Sequence, residues 1–404
     1  MTFAKSSFYN INRILLLVLG IWPDQKNKCM YVQRLFVWGI FTSFIICQLL
    51  LFFTEKYTVS LFFNTLSQSL PIVVCLLKYN AFCSNKKSVK LLLEQIEHDW
   101  ITLDDRELEI MKQYASTSKL YVVTFISFAV ATICIYAFLQ LLPAILDFII
   151  PLNISRPRYL YVRFEFSIDE EKHFYAITFY TVVSLFVASA TVISIGTSIL
   201  TFGNHSCAML KIACYRMEHA MDKYKRLHFV KRNEMQNEMV RAVDIHRKAM
   251  EYTNILISTL MLLFFGLLVT GVISLTLNIF HLFYAFFDIN SMEEILISTF
   301  LICAHFLYMF WANYAFQQIA DHFHEIFIAA YAIPWYVAPV RIQKFIIFLL
   351  QRGTKNYTMQ IGGVFTGSLE GFATVINTSN QFKQCSDFLL PSVSFTKRYL
   401  YFSC

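Results

Sequence analysis

The sequence predicts an all-α, polytopic membrane protein of seven transmembrane helices, with its amino terminus in the cytosol. Of its 404 residues, 57% are hydrophobic and only 15% are charged, whereas a soluble domain carries about 25% charged residues. Several apolar stretches approach the roughly 20 residues that a helix needs to cross a hydrocarbon core. The basic residues lie between these stretches, so the net charge of +7 reflects membrane topology and not nucleic-acid binding.

Seven stretches qualify as spans, the last more weakly because it is rich in Gly, Ser and Thr. The predicted spans are residues 35–53, 61–77, 121–150, 174–202, 254–280, 295–311 and 361–378. Residues 1–378 therefore form one membrane domain, and 379–404 an additional tail. The earlier apolar run Ile14–Ile21 is too short to span, and Trp22-Pro23 stands where a small-residue cleavage site is expected. We interpret it as an interfacial segment that is retained.

Lys and Arg counts on alternate sides of the spans predict the orientation. With the amino terminus inside, the cytosolic segments hold 26 of the 34 basic residues and the outer segments hold 8. This excess is typical of cytosolic loops. The sequon at Asn153 then lies in an outer loop and is a candidate glycosylation site, and the tail also lies outside. The arrangement is the reverse of that in a G-protein-coupled receptor.

The connections on the cytosolic side are predicted to be helical. No Gly or Pro occurs between His205 and Phe265, so the fourth and fifth helices can continue beyond the bilayer. Residues 86–114 carry apolar side chains at helical spacing, including Val89, Leu92 and Ile96. Two interpretations remain open for this stretch: a helix on the membrane surface, or part of a packed cytosolic anchor domain that joins subunits.

Short motifs, mostly in the last third of the chain, resemble those of insect odorant receptors. Length, the number of spans and the inverted topology agree with that family over nearly the whole chain. The combination carries the resemblance, since no single motif is specific. The motifs are Trp22-Pro23, 91–100 (LLLEQIEHDW), Trp335-Tyr336, 349–353 (LLQRG), 362–365 (GGVF) and 368–372 (SLEGF).

The resemblance implies an odorant-gated cation channel. Such channels are tetramers that combine a tuning subunit with a shared co-receptor subunit, and their seventh helices surround a central pore. It further implies a multi-pass protein of the plasma membrane, at the dendrite of a sensory neuron, that binds a small volatile ligand. The sequence departs from the family at its end, because 383–404 extends beyond the short segment that usually follows the seventh helix.

The seventh span can also be interpreted from its residues. At 100° per residue, Gly363, Thr366, Gly367, Glu370, Thr374 and Asn377 fall on one helix face. A polar stripe in a membrane helix must face protein or water, so either tight packing or a pore lining accounts for it. The resemblance favours the pore and places an apolar gate near Val375, on another face. The predicted pore residues are Thr366, Glu370, Thr374, Val375 and Asn377.

The resemblance places the ligand in the outer half of the bundle, among helices two to six. A volatile molecule gains affinity mainly from apolar burial, so the pocket should be aromatic with a few polar groups. Ordinary helix packing also accounts for each such residue. Chosen by depth, the candidates are Phe62, Phe63, Tyr136, Gln140, Tyr175, Phe179, Tyr180, Asn278 and His281.

Enzyme, metal and cofactor motifs are missing from the sequence, and we predict neither catalysis nor a bound cofactor. It contains no phosphate-binding loop, zinc-protease motif or C-x-x-C pair. His322 and His324 are two residues apart, so a helix would point them in different directions. The remaining alternatives are a gustatory receptor channel and a metabotropic seven-helix receptor, and the motif around Trp100 and the 368–372 pattern favour the odorant branch.

Overall fold

The structure is a computed structural model that describes residues 8–150, 156, 158, 160–162, 164–165, 170–226, 232–286, 292–353, 359–361, 365–374 and 376–377. Nearly all of these residues are helical. The helices are α1 (Asn10–Val18), α2 (Lys28–Thr54), α3 (Val59–Ser84), α4 (Lys86–Thr102), α5 (Asp105–Ile149), α6 (Glu170–Arg226), α7 (Arg232–Phe286), α8 (Met292–Ala332) and α9 (Val340–Gly353). A 3₁₀ turn, Trp335–Val337, precedes α9, and strands β1 (Met359–Ile361) and β2 (Phe365–Gly367) follow it.

Six of the predicted spans coincide with helices that are long and apolar enough to cross a membrane, within the residues described. These are Lys28–Thr54, Leu61–Ser84, Asp105–Ile149, Lys172–Lys223, Phe264–Phe283 and Ile295–Ala332. Many large apolar side chains on these helices are exposed, among them Phe128, Phe138 and Phe186. Such a surface fits a hydrocarbon environment and not water.

The seventh predicted span differs from the prediction at its beginning. Phe365–Gly367 is a strand that pairs antiparallel with Met359–Ile361, and helical geometry begins only at residue 369. The prediction of a helix was therefore wrong for Ile361 and for Phe365–Gly367. Its physical cause is glycine, because Gly362, Gly363 and Gly367 each cost a helix about 1 kcal/mol relative to alanine.

The long extensions of α6 and α7 are confirmed. Helix α6 continues to Arg226 and α7 begins at Arg232, so both reach well beyond the predicted spans. Together with α4, α9 and the neighbouring ends of α5 and α8 they form what we call the extramembrane bundle. Much of the best-buried apolar core lies there, including Met209, Leu210 and Met217.

Helix α4 packs into this bundle. Val89, Leu92 and Ile96 are each 1% exposed, and α4 lies against α7. Next to them, the Asp99 carboxylate lies 3.0 Å from His205 Nε2 on α6, with both side chains buried. Of the two interpretations of this stretch, packing into a bundle is therefore correct within this chain. The role of the bundle in joining subunits stays a prediction.

The short apolar run at the amino terminus forms α1, which is anchored on α6. Asn12 donates from Nδ2 to Ser198 Oγ at 3.1 Å and accepts from Thr197 Oγ1 at 3.1 Å. The chain then turns at Gly20, where φ is +69°. A side chain at this position would be strained and would meet the Met30 carbonyl oxygen, 3.0 Å from an added Cβ.

A buried histidine gives the extramembrane bundle a predicted pH dependence. His246 on α7 is 8% exposed, and burial, followed by the positive charge of Arg352, lowers the pKa of His246 to about 4. The unfolded chain takes up this proton near pH 6.5 but the folded chain does not, so stability falls as pH drops from about 6.5 towards 4. At pH 5 we expect a loss of about 2 kcal/mol.

The measurement is thermal unfolding of the detergent-solubilised protein at pH 7.5 and pH 5.0. His246→Leu should remove much of the acid sensitivity. His98→Gln, at an exposed position on α4, is the matched control and should retain it. An acid sensitivity that is unchanged in His246→Leu would contradict the assignment.

Candidate functional site

The end of the bundle that carries residues 160–165, which we call the loop end, is closed by this segment. Glu165 N–H donates to the Cys47 carbonyl at 3.1 Å, and its carboxylate accepts from Thr54 Oγ1 at 2.8 Å. Phe164 is 2% exposed and its ring lies edge-on to Phe44, with centroids 4.9 Å apart. The segment therefore packs between helices as a cover over the bundle interior.

Three of the predicted ligand residues meet this cover. Gln140 is 1% exposed and accepts the Tyr161 N–H at 3.2 Å, and the Tyr136 ring lies 6.3 Å from that of Tyr161. The Tyr180 hydroxyl lies 2.8 Å from Ser43 Oγ. Tyr136, Gln140 and Tyr180 thus converge from two helices on one covered region of mixed aromatic and polar character.

The aromatic pair on α3 lies in a neighbouring cluster. Phe63 stacks on Phe280 of α7 with ring centroids 5.8 Å apart, while Phe62 contacts Phe52 and Tyr57. Both α3 residues are half-buried. They connect the loop end of α3 to α2 and α7.

Asn278 and His281 lie in the interior, on α7. Asn278 is fully buried and His281 is 2% exposed. His281 Nδ1 is hydrogen-bonded to Ser298 Oγ of α8, so this polar pair joins two spans across the bundle.

Tyr175 and Phe179 do not join the other candidates. They are 56% and 72% exposed and one turn apart on α6, on its outer surface. The only ring contacts described for Tyr175 are with Phe174 and with the Arg158 guanidinium, 5.5 Å above its ring. The sequence did not predict the direction of these two side chains, and their depth in the membrane stays a prediction.

Sequence reasoning missed Tyr161 and Phe164, which contact the predicted residues Tyr136 and Tyr180. These two aromatics belong to the loop between α5 and α6, outside the predicted spans. Their signal is the aromatic run 159–166 (YLYVRFEF), since large apolar rings in an outer loop need a buried surface to pack on.

The predicted pore residues divide into three groups. Glu370, Thr374 and Asn377 are exposed and share one face of the helical residues 369–377. Thr366 lies in β2, opposite Gln360, and so is not part of that helix face. Val375 lies outside the described residues.

The opposite side of this helical segment is packed. Phe372 lies 5.9 Å from Phe310 of α8, ring centroid to ring centroid. The Leu369 N–H donates to Gln317 Oε1 of α8 at 3.4 Å, and the Gly371 N–H donates to Ser368 Oγ at 3.0 Å. Helix α8 thus contacts the apolar side of the segment, while Glu370, Thr374 and Asn377 on its polar side are exposed among the residues that the structure describes.

The other sequence candidates have simpler placements. Asn153 lies outside the described residues. His322 is hydrogen-bonded to the Tyr114 hydroxyl at 2.7 Å, and His324 stacks on Phe327. Among the residues described, no group of three or more His, Cys, Asp or Glu side chains is placed to hold a metal ion.

Comparison with known proteins gives consistent matches of family and fold. The family model described as 7tm Odorant receptor matches residues 58–380. The insect olfactory receptor OR5 from Machilis hrabei, in complex with eugenol, superposes with a TM-score of 0.75 at 14% identity, covering 94% of this chain and 97% of that one. A second OR5 structure gives 0.69 at 16% identity, covering 92% and 95%. No curated protein matches the sequence significantly.

Proposed function

This chain belongs to the 7tm odorant receptor family, and from that premise we propose that it is the odorant-binding tuning subunit of a heteromeric ligand-gated cation channel. Its partner is an odorant co-receptor subunit, in a heterotetramer. The observation that carries the channel proposal is the polar face formed by Glu370, Thr374 and Asn377, whose side chains are all exposed in this structure.

A membrane helix with an uncovered polar face is stable only against water or another polar surface. Glu370, Thr374 and Asn377 supply such a face, whereas Phe372 attaches the other side of the helix to α8. Four such helices around an axis place their polar faces on the axis and form an aqueous path. Carboxylates at this path favour cations over anions.

The proposal also covers orientation and location. The amino terminus and the extramembrane bundle lie in the cytosol, in agreement with the distribution of Lys and Arg. The bundle then serves as the anchor between subunits. The protein resides in the plasma membrane of the sensory dendrite, where volatile ligands arrive from the outer side, at the loop end.

The ligand site of the proposal is the covered region at the loop end, where Tyr136, Gln140 and Tyr180 meet Tyr161. Aromatic side chains bury large areas and suit a volatile molecule with few polar groups. The deeper polar residues Asn278 and His281 belong to the interior of the same bundle.

The test of the proposal is whole-cell current during application of an odorant panel, with and without an insect odorant co-receptor in the same cell. We expect a fast cation current that requires both chains and persists with GDP-β-S in the pipette. A response that GDP-β-S abolishes would indicate metabotropic signalling and would refute the channel mechanism.

Glu370→Gln is expected to reduce the unitary conductance of the heteromer by about two-fold and to lower its preference for calcium over sodium. The reason is Coulombic, since a carboxylate at the path raises the local cation concentration. Single-channel recording with reversal potentials in mixed ions makes the measurement.

The matched control is Glu218→Gln, which removes an equal charge from an exposed position of α6 in the extramembrane bundle. It should leave conductance and selectivity at their wild-type values. Wild-type permeation in Glu370→Gln would remove Glu370 from the pore lining.

A further inference from the structure

A polar stripe runs along one face of α7 in the bundle interior. Ser274, Asn278 and His281 are four and three residues apart, so they stack on the same side of the helix. Ser274 and Asn278 are completely buried and His281 is 2% exposed. The neighbouring face is apolar, with Leu275 packed near Met309 of α8. Burying three polar side chains within a span is costly unless they have partners.

Two oxygens of this stripe lack partners among the residues that the structure describes. They are Ser274 Oγ and Asn278 Oδ1, one helical turn apart. His281 differs from these two residues because its Nδ1 is hydrogen-bonded to Ser298 Oγ. An unsatisfied oxygen inside a membrane protein is unfavourable, so this pair of atoms points to a bound molecule that hydrogen-bonds to them.

The chemistry of that molecule follows from the orientation of the Asn278 amide. Its Nδ2 donates to the Ser274 carbonyl at 2.7 Å, and a carbonyl can only accept. Rotating the amide by 180° would place Asn278 Oδ1 against the Ser274 carbonyl oxygen. Both atoms are acceptors, so the orientation of the amide is fixed by chemistry. The free atom is therefore an acceptor, and its ligand must be a donor.

Room for an added side chain is present one turn before the stripe. Gly271 lies one turn before Ser274 and Leu275, and a Cβ added at Gly271 would meet no atom within 4 Å. The stripe thus combines two oxygens without partners among the described residues, apolar neighbours, and room for added atoms at Gly271 on the preceding turn. An apolar molecule with one hydroxyl group matches all three of these features.

We propose that α7 carries a hydroxyl-recognition site, in which Asn278 Oδ1 accepts the hydroxyl hydrogen of an alcohol odorant and Ser274 hydrogen-bonds to the hydroxyl oxygen. The inference rests on the proposed function and deepens it by naming the ligand class. Ethers, esters and ketones have no hydroxyl hydrogen, so they leave Asn278 Oδ1 unsatisfied and bind more weakly.

The experiment compares pairs of isomers of similar size, one of which carries a hydroxyl donor while the other is an ether without one. The probes are octanol against heptyl methyl ether and phenethyl alcohol against benzyl methyl ether. Binding is measured as thermal stabilisation of the purified, detergent-solubilised chain, and response as current in cells that also express the co-receptor. In the wild type we expect at least one alcohol to act at a concentration about 10-fold or more below that of its ether.

Asn278→Leu and the milder Ser274→Ala should each reduce this preference to about three-fold or less. The matched control is Thr276→Val on the same helix, because the Thr276 hydroxyl already donates to the Val272 carbonyl at 2.8 Å. It should keep the full preference for the alcohol. Gly271→Leu, which fills the room at this position, should weaken both isomers together.

Equal potency of alcohol and ether, or an undiminished preference in Asn278→Leu, would overturn the site. So would the absence of stabilisation by any alcohol, which would leave a bridging water as the occupant. The proposed function is judged separately. A co-receptor-dependent current evoked only by esters or ketones would support the channel and refute this site.

Discussion

Arg216→Met is expected to destabilise the extramembrane bundle by about 3–5 kcal/mol, since it leaves the buried Glu107 carboxylate unpaired. Arg216 Nε donates to Glu107 Oε1 at 2.6 Å and Arg216 Nη2 donates to Oε2 at 2.9 Å. The side chains are only 12% and 4% exposed. This forked geometry is the strongest that an Arg–carboxylate pair adopts.

The pair also organises two further elements. Arg216 Nη1 donates to the Arg241 carbonyl on α7 at 3.1 Å. Glu107 accepts the Asp104 N–H at 3.1 Å and so completes the capping box at the start of α5. One ion pair therefore connects the beginning of α5 to α6 and α7.

The measurement is the thermal unfolding midpoint of the purified protein, supported by its surface expression in cells. Glu107→Met should be similarly damaging, whereas the double variant Glu107→Met/Arg216→Met should be less damaging than the sum of the two singles. Arg247→Met, which breaks the exposed pair with Asp244 on α7, is the matched control and should change little. Equal effects of Arg216→Met and Arg247→Met would refute the assignment.

Hydropathy predicted the membrane spans because its signal is local. Each of six spans is a run of apolar residues whose environment is lipid or another helix, and the missing Gly and Pro after His205 predicted the long helices α6 and α7. The partners inside the bundle could not be predicted this way. Glu107 and Arg216 are 109 residues apart in sequence, and nothing in their local pattern specifies that they meet.

The candidate site was predicted less completely, for two physical reasons. Depth in the membrane follows from counting residues, but the rotation of a helix does not, so Tyr180 faces inward while Tyr175 and Phe179 are exposed. The seventh span failed at its beginning because hydropathy does not distinguish a helix from a strand. In the structure Gln360 and Thr366 pair in a two-stranded ladder.

Gly367 gives the region around the proposed pore a close packing that links it to α8. A Cβ added at Gly367 would lie 2.9 Å from Cδ2 of Phe316, so β2 rests directly on α8. The helical segment that follows is held by Gln317 through the Leu369 N–H. A movement of α8 caused by ligand binding would therefore move this segment as well.

Gly371→Ala is accordingly expected to reduce the odorant-evoked current by more than about 10-fold while the protein still reaches the cell surface. An added Cβ would meet the Thr366 carbonyl oxygen and the Phe365 ring, the latter at 3.0 Å. A backbone oxygen cannot rotate away as a flexible side chain can, so β2 must separate from the helix. Overpacking of this kind costs about 1–3 kcal/mol, and 1.4 kcal/mol alone changes an equilibrium about 10-fold.

The matched control for this prediction is Gly266→Ala on α7, where an added Cβ meets nothing within 4 Å. Alanine also favours the helix there, so this variant should retain its current. Surface biotinylation separates loss of gating from loss of protein. A normal current in Gly371→Ala would show that the contact between β2 and the helical segment is not needed for conduction. The link from α8 to the pore would then have to run through the direct contacts of Gln317 with Leu369 and of Phe310 with Phe372.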